Sequence, residues 1–207
     1  MIDAVTVCVD YSDYLEHVIE NNRKCFDRWL IVTAPHDTAT ICLCKTNNVE
    51  CIVSDRVMDG GFCKGRAIND GLVYLNARDW IVQLDADTLL NPQDFKKSLC
   101  SRLDKNKFYG LIGRYQVNSI AELRQFCDQP LVFQDQLEHV GLMVGYFQMW
   151  HSTMRQLYPE ESLTAGLDDI LMRDSYHTDK WAVLGTYAVH LGPMWVNHGG
   201  RKSERFK

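Results

Sequence analysis

The stretch WIVQLDADTLLNP, residues 80–92, places two carboxylates directly after an apolar run. Trp80–Leu84 is apolar on both faces apart from Gln83, which is typical of a strand in the middle of a sheet that is covered on both sides. Asp85 and Asp87 follow, separated by one alanine. Because an unpaired negative charge is costly at the mouth of a buried strand, either a cation binds there or the pair is a solvated strand end before an Asn-Pro turn.

The rest of the composition is that of an ordinary globular domain. The 207 residues are 46% hydrophobic and 24% charged, and they suit one domain with a sizeable core. The formal net charge of -5 gives no overall attraction to nucleic acid or anionic lipid. A short basic track remains near the C-terminus, where Arg201, Lys202, Arg205 and Lys207 stand against Glu204.

The cysteines and the hydropathy pattern indicate the cellular compartment of the protein. The eight cysteines are scattered, without a Cys-x-x-Cys pair, so we expect buried, reduced thiols in a cytoplasm-like compartment. The N-terminal stretch lacks the features of a signal peptide, and no segment approaches the roughly 18 apolar residues of a membrane span. The sequence therefore predicts a cytoplasmic protein that does not act in a membrane, and it does not indicate an oligomeric state.

The first half of the chain alternates short apolar runs with amphipathic stretches. Strands are predicted at residues 4–9, 29–32 and Glu50–Val53, besides the strand at Trp80–Leu84. Asp13 is placed to cap a helix after the first strand. A second helix, with apolar residues at helical spacing, is predicted to precede the Trp80–Leu84 strand. This alternation predicts an α/β fold with a mostly parallel central sheet.

The acidic residues of this half fall at strand ends. Asp10, Asp37 and the pair Asp85 and Asp87 each follow a predicted strand. In parallel sheets, ligands collect beyond the carboxyl ends of the strands. The two side chains of an i, i+2 pair on extended chain point to one face, which suits a hard divalent cation such as Mg²⁺ or Mn²⁺. The sequence therefore predicts a ligand site at this edge.

The second half is less regular. Strands are predicted at residues 109–117, 140–150 and 181–191, and a helix at residues 168–176. No linker, internal repeat or low-complexity stretch interrupts the chain, so we expect one domain.

The segment 60–92, GGFCKGRAINDGLVYLNARDWIVQLDADTLLNP, resembles the core of GT-A-fold glycosyltransferases, especially the large family-2 group. Those proteins carry a helix that begins with Lys-Gly and continues with Asn and Gly, then an apolar strand and Asp-x-Asp. The matching residues here are Lys64, Gly65, Asn69, Gly71, Asp85 and Asp87. The stretch VTAPHDTAT resembles the second-strand loop of the family, with Pro35 and His36 replacing the usual residues.

The resemblance implies a single GT-A domain, a Rossmann-like nucleotide-diphospho-sugar transferase fold, over residues 1–207. Residues 1–92 would form the nucleotide-binding half and residues 93–207 the acceptor-binding half. The implied reaction is metal-dependent and inverting. It moves a hexose from a nucleoside diphosphate sugar, with a UDP-sugar favoured, to a hydroxyl of a soluble acceptor. A sugar, a protein side chain and a hydroxymethylated DNA base are all open as that acceptor.

The resemblance also assigns the divalent ion, Mn²⁺ or Mg²⁺, to the Asp-x-Asp pair. Asp87 would ligate the metal, and Asp85 would contact the ribose or reach the metal through water. Lys64 or Arg66 would add positive charge near the diphosphate, although each also suits a solvated helix face. The ion neutralises the charge of the leaving diphosphate.

A further metal ligand in this fold is often a histidine from the C-terminal part. His190, in YAVHLGP, and His198, in WVNHGGRK, are the two candidates. His190 occupies the end of an apolar strand, the position that the family pattern favours.

An inverting transfer needs a base for the acceptor hydroxyl. The stretch AGLDDILMRDSYH resembles the acidic helix start of inverting family members and of β-1,4-galactosyltransferases. Asp168 and Asp169 fit that place, followed by Arg173, but Leu167 stands near the position of the expected glutamate. Either aspartate could be the base, and both could instead cap the helix.

The remaining donor contacts are implied by position in the family pattern. Asp10 and Tyr11 lie where the family holds the nucleotide base, and Asp37 follows the second strand. The segment VGYFQMWHS resembles the floor of the donor-sugar pocket, to which Gly145, Tyr146 and Gln148 could contribute. An apolar core strand is the alternative for this segment.

Two other functions share the architecture. A sugar-1-phosphate nucleotidyltransferase would need a glycine-rich loop after the first strand, where this chain reads VCVDYSDYLEH. A protein of the same fold that binds a sugar nucleotide without turnover is the other alternative. A dinucleotide-dependent dehydrogenase would need Gly-x-Gly-x-x-Gly after a strand, which does not occur.

Overall fold

The computed structural model describes residues 1–100, 102–130, 136–138, 140–141, 145–154, 156–160, 165–193, 196 and 202–206. Helices in these residues are α1 (Ser12–Asn22), α2 (Thr38–Thr46), α3 (Lys64–Leu75), α4 (Pro92–Ser98), α5 (Ile120–Asp128) and α6 (Ala165–Asp174). The strands are β1 (Ile2–Val7), β2 (Arg28–Thr33), β3 (Glu50–Val53), β4 (Trp80–Leu84), β5 (Thr88–Leu90), β6 (Phe108–Leu111), β7 (Arg114–Val117), β8 (Phe147–His151), β9 (Trp181–Leu184) and β10 (Ala188–Leu191).

Seven of the described strands form one sheet in the order β3-β2-β1-β4-β8-β6-β9. Neighbouring strands are parallel except at β8, which runs antiparallel to both β4 and β6. A smaller sheet has the order β5-β10-β7. These findings confirm the predicted α/β fold with a mostly parallel central sheet.

Strand β4 lies in the middle of the large sheet, as predicted. All five of its residues are buried, and it pairs with β1 on one side and β8 on the other. The buried aliphatic and aromatic residues form two clusters, one on each side of this sheet. The chain therefore leaves the core at Leu84, and Asp85 begins the loop at the carboxyl edge of the sheet.

Helix α3 packs directly on the parallel strands because its inner face is apolar or lacks a side chain. Ala67, Ile68 and Leu75 are buried on that face. A Cβ atom at Gly71 would lie 2.6 Å from the Val5 side chain, so glycine permits the close approach of helix and strand. This packing fixes the start of α3 beside the end of β4.

The start of α1 differs from the sequence prediction. Tyr11, not Asp13, is the N-cap residue, and no side chain caps the helix. The Asp13 carboxylate accepts a hydrogen bond from the backbone N–H of Phe206 (2.8 Å) instead. The Phe206 ring is buried against Tyr14 and His17, with ring centroids 5.2 and 5.5 Å apart. The capping prediction was wrong because a distant segment engages this carboxylate.

Strand bounds in the second half also differ from the predictions. The segments 109–117 and 181–191 are each two strands, because in each the chain leaves the large sheet and joins the small one. The first crosses after Leu111 and the second after Leu184. The segment 140–150 is strand only from Phe147, and its residues 142–144 lie outside the described part. The predicted helix at 168–176 is α6, which begins three residues earlier.

Strand β1 begins and ends two residues earlier than predicted, whereas β3 and β4 match their predicted bounds.

All eight cysteines are free thiols, but Cys42, Cys100 and Cys127 are exposed, so the expectation that the thiols are buried was wrong for these three. No helix in the described residues is long and apolar enough to cross a bilayer.

Candidate active site

Lys64, the first residue of α3, is at the centre of a buried polar network. Its ammonium group donates to Asp85 Oδ1 (2.6 Å) and to both carboxylate oxygens of Asp169 (2.8 and 2.9 Å). The Gly145 carbonyl oxygen lies 3.4 Å from the same nitrogen. This one side chain joins the loop after β4, helix α6 and the segment before β8, so both halves of the chain contribute to the network.

The charge of Lys64 is retained although the residue is only 4% exposed. Burial lowers the pKa of its ammonium group, but the carboxylates of Asp169 and Asp85 outweigh burial, and the pKa is raised. A buried cation that is shared by two carboxylates is costly to remove, because both would then be left without a counter-charge.

Asp169 is buried, and Tyr158, Gln148 and Gly145 surround it. The Tyr158 hydroxyl donates to its Oδ1 (2.5 Å), and the side chain of Gln148 donates to its backbone carbonyl (3.0 Å). A Cβ atom at Gly145 would lie 1.9 Å from its Oδ2, so the chain at Gly145 covers the carboxylate. Burial raises the pKa of Asp169 to about 7, against the opposing effect of Lys64.

Asp168 is fully buried at the start of α6. Its Oδ2 accepts a hydrogen bond from the Gly65 backbone N–H (3.0 Å), one of the free N–H groups in the first turn of α3. A negative charge at this end of a helix is also favoured by the helix dipole. Asp168 and Asp169 therefore connect α6 to the beginning of α3 through two different contacts.

Asp85 contacts this network through one carboxylate oxygen, and its side chain is 28% exposed. Its Oδ1 accepts from Gln83 (2.8 Å) as well as from Lys64, and its backbone N–H donates to the Tyr146 carbonyl (3.0 Å). Gln83 is the one polar side chain of β4 and is fully buried. Its presence in an apolar strand is explained by this contact with Asp85.

Asp87 and His190 form the second part of the site. His190 Nε2 lies 3.6 Å from Asp87 Oδ1, and that oxygen is buried without a hydrogen-bond partner among the described residues. His190 pairs with Thr88 in the small sheet, and the Leu191 N–H donates to the Asp87 carbonyl (2.8 Å). Burial, together with the charge of Asp85, raises the pKa of Asp87 to about 7.

The donor set fits a divalent ion in part. No group of three or more His, Cys, Asp or Glu side chains in the described residues is arranged to hold a metal, so the pair Asp87 and His190 could offer an ion only two side chains. A carboxylate oxygen and a neutral imidazole are suitable ligands for Mn²⁺, and a bound substrate can supply more. A buried carboxylate oxygen with no partner is the kind of group that such an ion satisfies.

At the ends of β1 and β2, Asp37 holds the loop that carries Asp10. Asp37 is the N-cap of α2 and accepts hydrogen bonds from the Thr40 N–H (3.0 Å), the Thr40 hydroxyl (2.6 Å) and the Asp10 N–H (2.8 Å). Asp10 has a φ of 60°, a conformation that this bond helps to stabilise. Its exposed carboxylate lies 3.3 Å from His36 Nε2, and Tyr11 stacks on Tyr14. Asp10 and His36 are therefore the accessible polar groups, and Asp37 supports them.

Two further residues of the sequence motif have contacts away from Asp85. Arg66 is half-buried and donates to the Asp59 carbonyl (2.5 Å) in the glycine-containing loop. Asn69 exchanges hydrogen bonds with the backbone of Tyr158 (2.8 Å each way) and donates to Glu160. Asn69 thereby positions Tyr158, whose hydroxyl contacts Asp169.

Comparison with known proteins rests on structure. No family model matches the sequence, and no curated protein matches it. Glucosyl-3-phosphoglycerate synthase from Mycobacterium tuberculosis, solved with Mn²⁺, UDP and glucosyl-3-phosphoglycerate, is similar, with a TM-score of 0.57 and 14% identity. The match covers 92% of this chain and 71% of that one. S. aureus TarS, solved as residues 1–349, has a TM-score of 0.60 and 14% identity, over 92% of this chain and 60% of that solved chain.

The chain has the GT-A fold. The resemblance noted from the Lys-Gly helix and the Asp-x-Asp pair is therefore confirmed at the level of the fold. In this GT-A domain the Asp-x-Asp pair lies at the carboxyl edge of the central sheet, where α/β proteins bind ligands. His198, the second candidate for the metal, lies outside the described residues.

Arg114 is the charged residue near Asp87 that sequence reasoning missed. It is 8% exposed on β7, and its guanidinium group lies 5.2 Å from the centroid of the Tyr146 ring. Its positive charge opposes the rise in the pKa of Asp87. The available signal was an arginine in the apolar run FYGLIGRYQV, where a charged side chain requires a partner.

Proposed function

We propose that this GT-A domain is a divalent-metal-dependent glycosyltransferase. It would transfer a hexose from a nucleoside diphosphate sugar to a hydroxyl group of a soluble acceptor. The fold supports this assignment, and one observation carries it. The Asp87 Oδ1 atom is buried beside His190 Nε2 at 3.6 Å and has no hydrogen-bond partner among the described residues.

Asp87 and His190 would hold Mn²⁺ or Mg²⁺, and Asp85 would contribute through water or through the ribose. Bound there, the ion would neutralise charge on the departing diphosphate.

A uridine nucleotide is the donor that we favour. Glucosyl-3-phosphoglycerate synthase was solved with UDP and Mn²⁺, and also with UDP-glucose. In this chain the exposed carboxylate of Asp10 can accept from an N–H group of a base, and His36 lies beside it. Tyr11 follows directly and offers an aromatic face. Asp37 keeps this loop in place.

The site contains four carboxylates with two different proposed roles: Asp85 and Asp87 act at the metal, and the other two position the network. For Asp168 and Asp169, which the resemblance offers as the base of an inverting transfer, we propose a positioning role. Both are buried and hydrogen-bonded to the beginning of α3. Asp169 holds Lys64, and Lys64 holds Asp85, so the network orients the Asp-x-Asp loop. Gly145 and Gln148 belong to the same network through Asp169.

The acceptor stays an open part of the proposal. A sugar, a protein hydroxyl and a hydroxymethylated base in DNA are the candidates. For the last, Lys202 and Arg205 of the basic track are exposed, whereas Arg201 and Lys207 lie outside the described residues. Transfer of radiolabelled sugar to duplex DNA with hydroxymethylated bases would test the DNA candidate directly.

The test of the proposed function is donor turnover. Purified protein is incubated with a panel of nucleotide sugars, with Mn²⁺ or with a chelator, and release of the nucleoside diphosphate is measured. We expect metal-dependent release from at least one UDP-sugar, and loss of it in Asp87→Asn. Asp128→Asn, at an exposed position on α5, is the matched control and should leave turnover unchanged.

Three results would contradict the proposal. Binding of UDP and Mn²⁺ without turnover for any donor and acceptor would favour the non-catalytic alternative. Release of pyrophosphate from a nucleoside triphosphate and a sugar 1-phosphate would favour the nucleotidyltransferase. Unchanged turnover in Asp87→Asn would remove the metal site from the mechanism.

A further inference from the structure

Several buried polar atoms near Asp87 have no hydrogen-bond partner among the described residues. Besides Asp87 Oδ1, they include the Thr88 hydroxyl, Gln116 Oε1 and the Tyr146 hydroxyl. Buried polar groups in folded proteins nearly always have partners, so a concentration of exceptions at one place points to a ligand. The metal would satisfy Asp87 but does not account for the others.

The small sheet places these groups in one row. Thr88 and Gln116 are the register partners of His190 on either side, so their side chains share its face of the sheet. Arg114 precedes Gln116 by two residues on β7 and therefore points to the same face. A ligand that reaches a metal at His190 would thus also reach this row.

Tyr146, the residue directly before β8, faces Arg114. Its ring lies under the guanidinium group, at 5.2 Å from carbon to centroid, and the residue is only 3% exposed. The carbonyl of Tyr146 accepts the N–H of Asp85 (3.0 Å), which fixes the residue beside the Asp-x-Asp loop. A cation and a hydroxyl group are therefore held together next to Asp87.

We propose that Arg114 and Tyr146 bind a phosphate oxygen of the donor diphosphate, with the guanidinium N–H groups and the phenol O–H as donors. This inference rests on the proposed function and adds a binding element to it. Neither residue belongs to the Asp-x-Asp pair or to the metal ligands.

The chemistry of the pair favours a phosphate over the sugar. Arginine is always charged in proteins, and its planar group matches phosphate oxygens in two-point contacts. A sugar hydroxyl offers one acceptor without a charge, so it would interact with the buried guanidinium group more weakly than a phosphate group does. As the glycosidic bond breaks, the electron pair goes to the diphosphate oxygen, and the phosphates gain negative charge that Arg114 can stabilise.

The experiment compares the binding of Mn²⁺ alone with the binding of UDP in saturating Mn²⁺, by titration calorimetry. The first variant is Tyr146→Phe, which removes only a hydroxyl that has no partner in the described residues. We expect UDP to bind about three- to tenfold more weakly, with binding of Mn²⁺ unchanged. Tyr176→Phe is the matched control, because its hydroxyl is also buried without a described partner but lies beside Phe108, and UDP affinity should not change.

The second variant is Arg114→Gln, for which the two measurements should move in opposite directions. Loss of a positive charge near Asp87 should leave Mn²⁺ affinity equal or raise it, by about threefold. UDP affinity in saturating Mn²⁺ should fall by about tenfold or more. A misfolded variant would lose both, so this split separates a binding role from a structural one.

Outcomes that overturn the inference are distinct from failure of the proposed function. UDP binding at wild-type strength in Tyr146→Phe, or in Arg114→Gln, overturns the inference alone. Parallel loss of Mn²⁺ and UDP binding in Arg114→Gln also overturns it, in favour of a structural arginine. If the wild-type protein does not bind UDP with Mn²⁺ at all, both the inference and the proposed function are contradicted.

Discussion

At the scale of single residues, the site depends on closely packed contacts that tolerate no larger or differently charged side chain. Lys64 serves two carboxylates with one ammonium group, and Gly145 lies where a methyl group would meet Asp169. The residue type required at such positions is determined by the neighbouring side chains and charges in the folded protein, not by the secondary structure of its own segment. Substitutions there should therefore cost far more than equal changes on the surface.

Lys64→Met tests the buried cation. Removing it leaves Asp85 and Asp169 without their counter-charge, and we expect the free energy of unfolding to fall by about 3–5 kcal/mol. Urea denaturation measures the change. Arg56→Ala is the control, because Arg56 also pairs with two carboxylates but is half exposed, and it should cost at most about 1 kcal/mol. Equal losses for the two variants would contradict the central position of Lys64.

Gly145→Ala tests the close contact with Asp169. The added Cβ would lie 1.9 Å from Asp169 Oδ2, so the segment or the carboxylate must shift. We expect a loss of stability of about 1–3 kcal/mol, from urea denaturation. Gly185→Ala is the matched control, since no atom lies within 4 Å of its Cβ position. An unchanged free energy of unfolding in Gly145→Ala would show that the chain at Gly145 does not cover Asp169 in solution.

At the scale of elements, short connections between neighbours set the position of the Asp-x-Asp loop. Strand β5 is only three residues long and follows Asp87 directly. It is held by β10 on one side and by Asn22, the last residue of α1, on the other. The Asn22 amide donates to the Thr88 carbonyl (2.7 Å), and its oxygen accepts the Leu90 N–H (2.9 Å). The Asn22 side chain thus supplies the two hydrogen bonds that a neighbouring strand would otherwise make to this edge of β5.

Asn22→Ala should release this strand. The carbonyl of Thr88 and the N–H of Leu90 would be buried without partners, and we expect a loss of about 2–4 kcal/mol in the free energy of unfolding. Hydrogen exchange followed by mass spectrometry should show faster exchange in residues 88–90. Asn21→Ala, at the adjacent exposed position, is the control. Unchanged exchange in β5 would contradict the role given to Asn22.

Sequence reasoning predicted some elements and not others for identifiable reasons. Strands β3 and β4 and helix α3 have clear periodicity within one segment, and they were predicted well. The breaks in 109–117 and 181–191 were missed because neither segment contains a proline, and only the second sheet makes the chain turn. Helix α4 was missed because Asn-Pro was interpreted as a turn, whereas Asn91 is an N-cap and Pro92 the first helical residue.

The site divides in the same way. The position of the Asp-x-Asp pair at a strand end could be predicted from Trp80–Leu84 alone, because a central strand must end at the sheet edge. The partners of Lys64 could not, since Asp85 and Asp169 are 21 and 105 residues away along the chain. The position of Arg114 beside Asp87 likewise required the order of the strands in the small sheet.

At the scale of the whole molecule, stability and pH are linked through the buried carboxylates. Burial raises the pKa of Asp169 to about 7, above its value in an unfolded chain. The folded state therefore binds this proton more tightly, so the stability that Asp169 contributes is present at pH 4 and is lost as the pH rises through about 7.

Asp169→Asn should weaken this pH dependence. The urea midpoint of the wild-type protein, measured from pH 5 to pH 8, should fall more steeply with pH than that of the variant. Comparison of the two slopes isolates Asp169 from the other buried carboxylates, including Asp87. Equal slopes would show that Asp169 titrates outside this range and would contradict the cause given for its shift.

The central claim is that Asp87 and His190 hold a divalent ion that is shared with a nucleoside diphosphate. The most direct measurement is an anomalous difference map at the manganese edge, from crystals grown with Mn²⁺ and UDP. The account predicts one strong peak within bonding distance of an Asp87 carboxylate oxygen, His190 Nε2 and the phosphate oxygens of UDP. A map with UDP bound at the sheet edge and no manganese beside Asp87 would contradict it.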